Sequence, residues 1–145
     1  MVLLSKASLY GIKAAIYLAK QAKGEYIAIS KISKDTDIPF HYLTKILQEM
    51  RKKELICSSK GINGGVFLAK SPDEISLYQI IIAIDKQKSR TRDYLELNEA
   101  EEFIHSSLNS IFIKIENYIN TLLIQKTLDK CIPNINLDKQ FLDIQ

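Results

Sequence analysis

The chain has 145 residues, 46% hydrophobic and 26% charged, a globular balance that suits one domain, or a small domain with an appended helix. Lys13 and Lys20 interrupt the longest apolar stretches near the N-terminus, so no bilayer span is expected, and Cys57 and Cys131 alone make a disulfide framework implausible. Net charge is +3, but residues 1–72 carry 12 Lys and Arg against 5 Asp and Glu (net +7) while residues 73–145 carry 8 against 12 (net −4), which fits either an anionic partner at the first half or a solvated surface with a chance imbalance.

The opening MVLLSKASLYGIKAAIYLAK lacks a signal peptide's order of basic flank, apolar core and small-residue cleavage site, and a soluble cytoplasmic protein is the expectation. Ser5 to Lys23 is apolar almost all round, which predicts a central buried helix closed by Gly24 in a left-handed cap. A second, shorter helix is expected from Ser30, with its hydroxyl as the cap. Asp37 and Ile38 then form a turn, and Pro39 fits the first position of a third helix, where its missing N–H costs nothing.

Two faces separate along that third helix. Leu43, Ile46, Leu47 and Met50 fall at i, i+3, i+4 and i+7 and should point inward. His41, Thr44, Lys45 and Gln48 repeat the spacing on another face, and each carries a hydrogen-bond donor. Arg51, Lys52 and Lys53 crowd the last turn, where the helix dipole favours cations. Two helices joined by a tight turn, the second with an outward donor-rich face, describe a helix-turn-helix, although most surface helices have a polar face of some kind.

Leu55–Ser59 and Val66–Ala69 read as short strands on either side of Lys60-Gly61-Ile62-Asn63-Gly64-Gly65. A phosphate-cradling loop is excluded, because the lysine precedes the glycines, no Gly-Lys-Ser/Thr follows, and the glycine spacing is not GxGxxG. The segment is therefore a hairpin tip, and a helix-turn-helix followed by a hairpin is a winged helix. The helix would enter the major groove of double-stranded DNA while the wing reaches backbone or minor groove, with Lys60 as its basic contact.

Ser76-Leu77-Tyr78-Gln79 has the form of a capping box and should open a helix whose Leu77, Ile80, Ile81 and Ile84 pack on the winged-helix core. Residues 86–102 read as a loop or loosely held helix. Residues 103–128 read as a long helix with an apolar stripe of Leu108, Ile111, Phe112, Ile115, Tyr118, Ile119 and Leu122. Such a helix has few neighbours in this chain, so a second copy is its expected cover, giving a homodimer. The division is then a winged helix-turn-helix over 1–85, a loop over 86–102, a dimerisation helix over 103–128 and a tail over 129–145. The fold class is mainly α with a small β-hairpin.

With these elements in place, SKASLYGIKAAIYLA, ISKISKDTDIPFHYLTKILQEMRKKELICSSKGINGGVFLA and ISLYQIIIAID resemble the Rrf-two (Rrf2) family of bacterial transcription regulators, over roughly residues 2–128. The resemblance implies a homodimer that binds operator DNA. It places His41, Tyr42, Thr44, Lys45, Gln48 and Arg51 on the recognition helix and Lys60, Gly61 and Asn63 on the wing. Lys60 stands where the family usually has an arginine, keeping the charge without the planar fork, and Val66 replaces a common aromatic. Cluster-binding members carry three closely spaced cysteines in the segment that reads KQKSRTRDYLELNEAEEFIH here, and this chain has none there. No metal and no iron–sulfur cluster are therefore expected. Glu102 and His105, at i and i+3, supply two ligands of an incomplete site. An unidentified small-molecule or protein effector is left open by the sequence. The alternative to a DNA-binding regulator is a winged-helix protein-interaction module; no enzyme is expected, since no nucleophile, base and metal come together.

Overall fold

The computed structural model describes residues 4–85 and 99–132. Five helices, α1 (Lys6–Ala19), α2 (Ile29–Thr36), α3 (Phe40–Lys52), α4 (Leu77–Ile84) and α5 (Glu99–Gln125), surround a hairpin of β1 (Ile56–Ser59) and β2 (Gly65–Leu68). The two strands pair antiparallel, with Ile56 opposite Leu68 and Ser59 opposite Gly65. The fold is thus mainly helical with one small hairpin and a long C-terminal helix, as the residue pattern implies.

Helix α1 begins where the Ser5 hydroxyl accepts from the Ser8 N–H, and it buries Ser8, Gly11, Ala14, Ala15 and Leu18. It is central but one-sided, since Leu9 is half exposed. It also stops at Ala19 rather than running to Lys23. Lys20 and Gln21 turn back onto the Tyr17 and Leu18 carbonyls, and Gly24, at φ +77°, belongs to the following turn instead of the cap.

Helix α2 departs from expectation at its start. It begins at Ile29, its N-cap is Ala28, and no side chain caps it, so Ser30 lies inside the first turn. The cause is tertiary. Ile27 forms a two-way backbone bridge with Val66 of the wing (both N···O distances 3.0 Å), which fixes where the chain enters the helix. Asp37 ends α2 in the left-handed region at φ 55°, and Pro39 sits one position earlier than expected, as the N-cap of α3 whose carbonyl accepts from Leu43. A one-residue difference of this kind is within the fraying of helix ends.

The core joins α1, α2, α3, α4 and the hairpin. Leu43, Ile46, Leu47 and Met50 all point into it, together with Ile32, Ile38, Leu55, Val66 and Ile80. Pro72–Glu74 is a single 3-10 turn closed by a capping box between Ser71 and Glu74, and the Ser76–Gln79 capping box opens α4. At the other end of α4, Asp85 accepts hydrogen bonds from the Ser5 (2.5 Å) and Ser8 (2.6 Å) hydroxyls, pinning that end to the start of α1.

Helix α5 starts at Glu99, so residues 99–102 of the segment expected to be a loop or loosely held helix are helical; residues 86–98 lie outside the described residues. After α5 the chain returns to the core. Leu77 and Leu128 donate backbone hydrogen bonds to Lys126 and Ile75, and the Leu128 side chain is fully buried. The segment from residue 129 therefore opens in a 3-10 turn (Leu128–Cys131) packed on the domain, and Cys131 is half-buried.

Candidate nucleic-acid interface

The amphipathic pattern of α3 is what exposes the candidate residues. With four apolar side chains drawn into the core on one stripe, His41, Tyr42, Lys45, Gln48 and Arg51 are left facing solvent, and Thr44 is half exposed. Their surroundings give them different roles. Thr44 donates its hydroxyl proton to the Phe40 carbonyl (2.9 Å), so toward a partner it acts as an acceptor. Tyr42 packs edge-on against Tyr10 of α1 (centroids 5.6 Å apart), and Lys6 lies 5.5 Å from the Tyr10 ring. The Tyr42 ring thus braces α3 against α1 while the residue stays partly exposed. His41 packs edge-on with Phe40 at the first turn of the helix.

Arg51 connects the helix to the wing, donating from Nη1 to the Ser58 hydroxyl at 3.2 Å. Nothing in the sequence signals that contact, because seven residues and a change of element separate the two. Beyond β1 and β2, Lys60, Gly61, Ile62 and Asn63 are exposed, Ile62 completely. Gly61 adopts φ +107°, open to glycine and strained for other residues, and its carbonyl accepts the Gly64 N–H at 3.0 Å to close the tip. The other two glycines are packed. A Cβ on Gly64 would overlap the Ser59 carbonyl, and one on Gly65 would overlap the Ile27 carbonyl. The glycine run is thus both a turn and a close fit of the wing onto its own body.

Between α3, the wing and the entry to α2 lies a groove of about 420 Å³, whose rim includes Gln48, Arg51, Ser58, Ser59 and Lys60. Ser30 of the uncapped first turn of α2 opens onto the same groove. Sequence reading misses this contribution, because it assigns Ser30 to capping. The groove brings Thr44, Gln48 and Arg51 of α3 together with the wing base, while His41, Tyr42 and Lys45 of α3 and Gly61 and Asn63 of the wing tip lie outside its lining. The seven residues of the expected dimerisation stripe lie elsewhere, on α5. Leu108, Ile111, Phe112, Ile115, Tyr118 and Leu122 are 38–67% exposed and Ile119 is half-buried, so this chain alone leaves the stripe largely uncovered.

Among the described residues no three His, Cys, Asp or Glu side chains gather to hold a metal. Glu102 and His105 are both exposed on α5. Cys57 lies half-buried on β1, and the whole sequence holds only one other cysteine, Cys131. Two thiols in separate elements do not make the four-ligand set that iron–sulfur clusters require.

A third helix with its polar face outward, docked beside a glycine-tipped hairpin, defines a winged helix-turn-helix protein. The sequence model of the Rrf2 family, described as an iron-dependent transcriptional regulator, matches residues 4–134. The chain belongs to the Rrf2 family of transcriptional regulators. It is 34% identical over 90 residues to the HTH-type transcriptional regulator NsrR of Halalkalibacterium halodurans, a match spanning 62% of this chain and 57% of that relative. The chain thus spans little more than half the length of the curated relatives it matches. Its fold superposes on CymR, the global cysteine regulator of B. subtilis, with a TM-score of 0.71 and 26% identity, covering 90% of this chain and 96% of that one. IscR of T. potens shares the fold at 23% identity and a TM-score of 0.69, over 90% of this chain and 85% of that one. The family description names iron, and the two cysteines of this sequence, Cys57 and Cys131, do not supply the four-thiolate set of a cluster. No helix among the described residues is long and apolar enough to cross a membrane.

Proposed function

We propose that the protein is a sequence-specific DNA-binding regulator that acts as a homodimer, repressing transcription by occupying a pseudo-palindromic operator. The observation that carries this reading is the shared groove: Gln48 and Arg51 on α3 and Lys60 on the wing line it, His41 and Lys45 are exposed on the same helix outside its lining, and the cations complement phosphate. In this reading α3 lies in the major groove, where Gln48 and Lys45 meet base edges and Arg51 a phosphate, while Lys60, Gly61 and Asn63 follow the neighbouring minor groove. The winged core over 1–85 is then the DNA-reading unit, and residues 103–128 are the dimerisation element.

The α5 stripe supports the dimer. Phe103, Leu108, Ile111, Phe112, Ile115, Tyr118 and Leu122 are all exposed large side chains on a helix of 27 residues, about 40 Å long. Most of these side chains are roughly half exposed, so covering the rest of each contributes about 1 kcal/mol, and the stripe as a whole favours pairing with a second copy. The pairing also sets half-sites about 10 bp apart, or a multiple of that. The enzymatic reading has no support in the donor arrangement.

Selection of bound duplexes from a random-sequence pool, followed by gel shift across a salt series, tests the proposal. A recovered inverted repeat whose retention falls steeply with salt is the expected result. Retention of no duplex at low salt overturns it and leaves the protein-interaction module as the reading. Sedimentation of the full chain and of an Ile111→Lys, Ile115→Lys double variant tests the dimer: wild type should sediment as a dimer and the variant as a folded monomer. A monomeric wild type would remove α5 from the mechanism.

A further inference from the structure

The wing tip carries one side chain that charge does not explain. Ile62 is completely exposed (104%), more than any other large hydrophobic residue of the described chain. Single exposed apolar residues are common on surfaces and by themselves mean nothing. Three features set this one apart. It stands between Lys60 and Asn63, on the protrusion that leaves the body where Ser59 pairs with Gly65. The Gly64 N–H to Gly61 carbonyl bond closes the turn beneath it, so its backbone is held in place. A β-branched side chain also has little rotamer freedom to lose on contact.

We propose that Ile62 is a minor-groove contact residue, seated against the deoxyribose walls while Lys60 beside it neutralises a phosphate. The inference rests on the DNA-binding reading above and adds to it an apolar component at the wing. The minor groove is about 6 Å wide, its base edges carry a degenerate pattern, and proteins that enter it commonly use apolar side chains beside cationic ones. The walls of that groove are sugar C–H surface, which an isoleucine covers without leaving a polar group unpaired. Such a contact responds to groove width rather than to base identity, so A·T-rich flanks with a narrow groove would be favoured at the wing position.

The test is fluorescence anisotropy of full-length wild type, Ile62→Ser, Ile62→Val and Lys60→Ala on the duplex recovered by selection and on a generic A·T-rich duplex. Because Ile62 touches nothing in its own chain, its variants fold. Ile62→Ser is expected to weaken binding about fivefold per wing, and Ile62→Val about twofold or less. Its dependence on salt should match wild type, since no counterion is released by an apolar contact, whereas Lys60→Ala should flatten that dependence. Hydroxyl-radical footprinting should show the sugars beneath the wing protected by wild type and exposed in Ile62→Ser. Wild-type affinity and an unchanged footprint for Ile62→Ser, with Lys60→Ala still impaired, would overturn the apolar contact and leave the DNA-binding reading standing. Failure of wild type to bind either duplex would overturn both.

Discussion

Gly65→Ala tests how the wing is held. A Cβ at this position would overlap the carbonyl carbon and oxygen of Ile27 and lie 2.9 Å from the Ala28 nitrogen, all backbone atoms that no rotamer change can move aside. Relief requires the wing to lift from the entry to α2, which lengthens or breaks the two 3.0 Å bonds between Ile27 and Val66. Each such bond contributes about 1 kcal/mol net, and leaving its buried donor and acceptor unpaired costs about 1–3 kcal/mol more at the worst. Ile27 and Val66 are themselves 6% and 2% exposed, so their packing loosens with the bridge. Together these give a destabilisation of about 2–4 kcal/mol, and a fall in Tm of about 10 °C for a chain of this size. Urea unfolding of wild type and variant measures the difference, and hydrogen exchange should report faster exchange at the Ile27 and Val66 amides. A variant within about 0.5 kcal/mol of wild type, with those amides still protected, would refute the close-fit account of the glycine run.

Other consequences follow from charge and from the cysteine count. Lys60→Ala should weaken duplex binding and reduce the slope of log K against log salt by about 0.9 for each phosphate left without its cation, read by gel-shift titration. Asp35 accepts from the Tyr17 hydroxyl (2.6 Å) and Lys31 (2.9 Å), and these hold its carboxyl below its ordinary value of 3.8, Tyr17 contributing most. The stabilisation it gives is therefore present above pH 3.8 and lost as pH falls through the lowered value, so thermal melts of wild type and Asp35→Asn should converge at the acid end. On the alkaline side the same hydrogen bonds raise Tyr17 above 10.0 and Lys31 above 10.5, and their share is lost only as pH rises through those raised values. Purified anaerobically, the protein should be colourless and free of iron; a brown preparation with charge-transfer absorbance would show that other ligands replace the missing thiolates.

The elements that sequence pattern makes legible are those whose residues answer to their own neighbours. The inward stripe of α3 is a spacing of 3 and 4 in one helix, and Ser76 and Gln79 satisfy each other's backbone within one turn, so both are readable without a fold. What escapes is settled by residues far apart in the chain. Ser30 looks like a cap until Ile27 pairs with Val66, 39 positions away, and moves the helix start to Ile29. Arg51 looks like one basic residue of a helix end until the hairpin folds back and brings Ser58 within 3.2 Å. The candidate interface divides along the same line: its side chains are legible on α3, while the groove that unites them with the wing exists only through that long-range pairing.

The return of the chain after α5 shows why the two halves belong to one unit. Leu128 reads as the end of an amphipathic helix, yet its side chain is fully buried beside Ile75, and backbone bonds from Leu77 and Leu128 bind the segments on either side of α5 and α4 together. One end of α5 is thereby fixed to the start of α4, while the far end of α4 is fixed through Asp85 to the Ser5 and Ser8 hydroxyls at the start of α1. A carboxylate at that place also meets the positive end of the α1 dipole, which strengthens the hold. Helix α4 is therefore clamped at both ends, and it packs along its length on α1 and α3. A second copy that fixes α5 fixes, through the Leu128 anchor and α4, the orientation of α3 as well. In the proposed homodimer, its geometry and the spacing of the two α3 helices would then be one structural quantity, as the proposed pseudo-palindromic site requires.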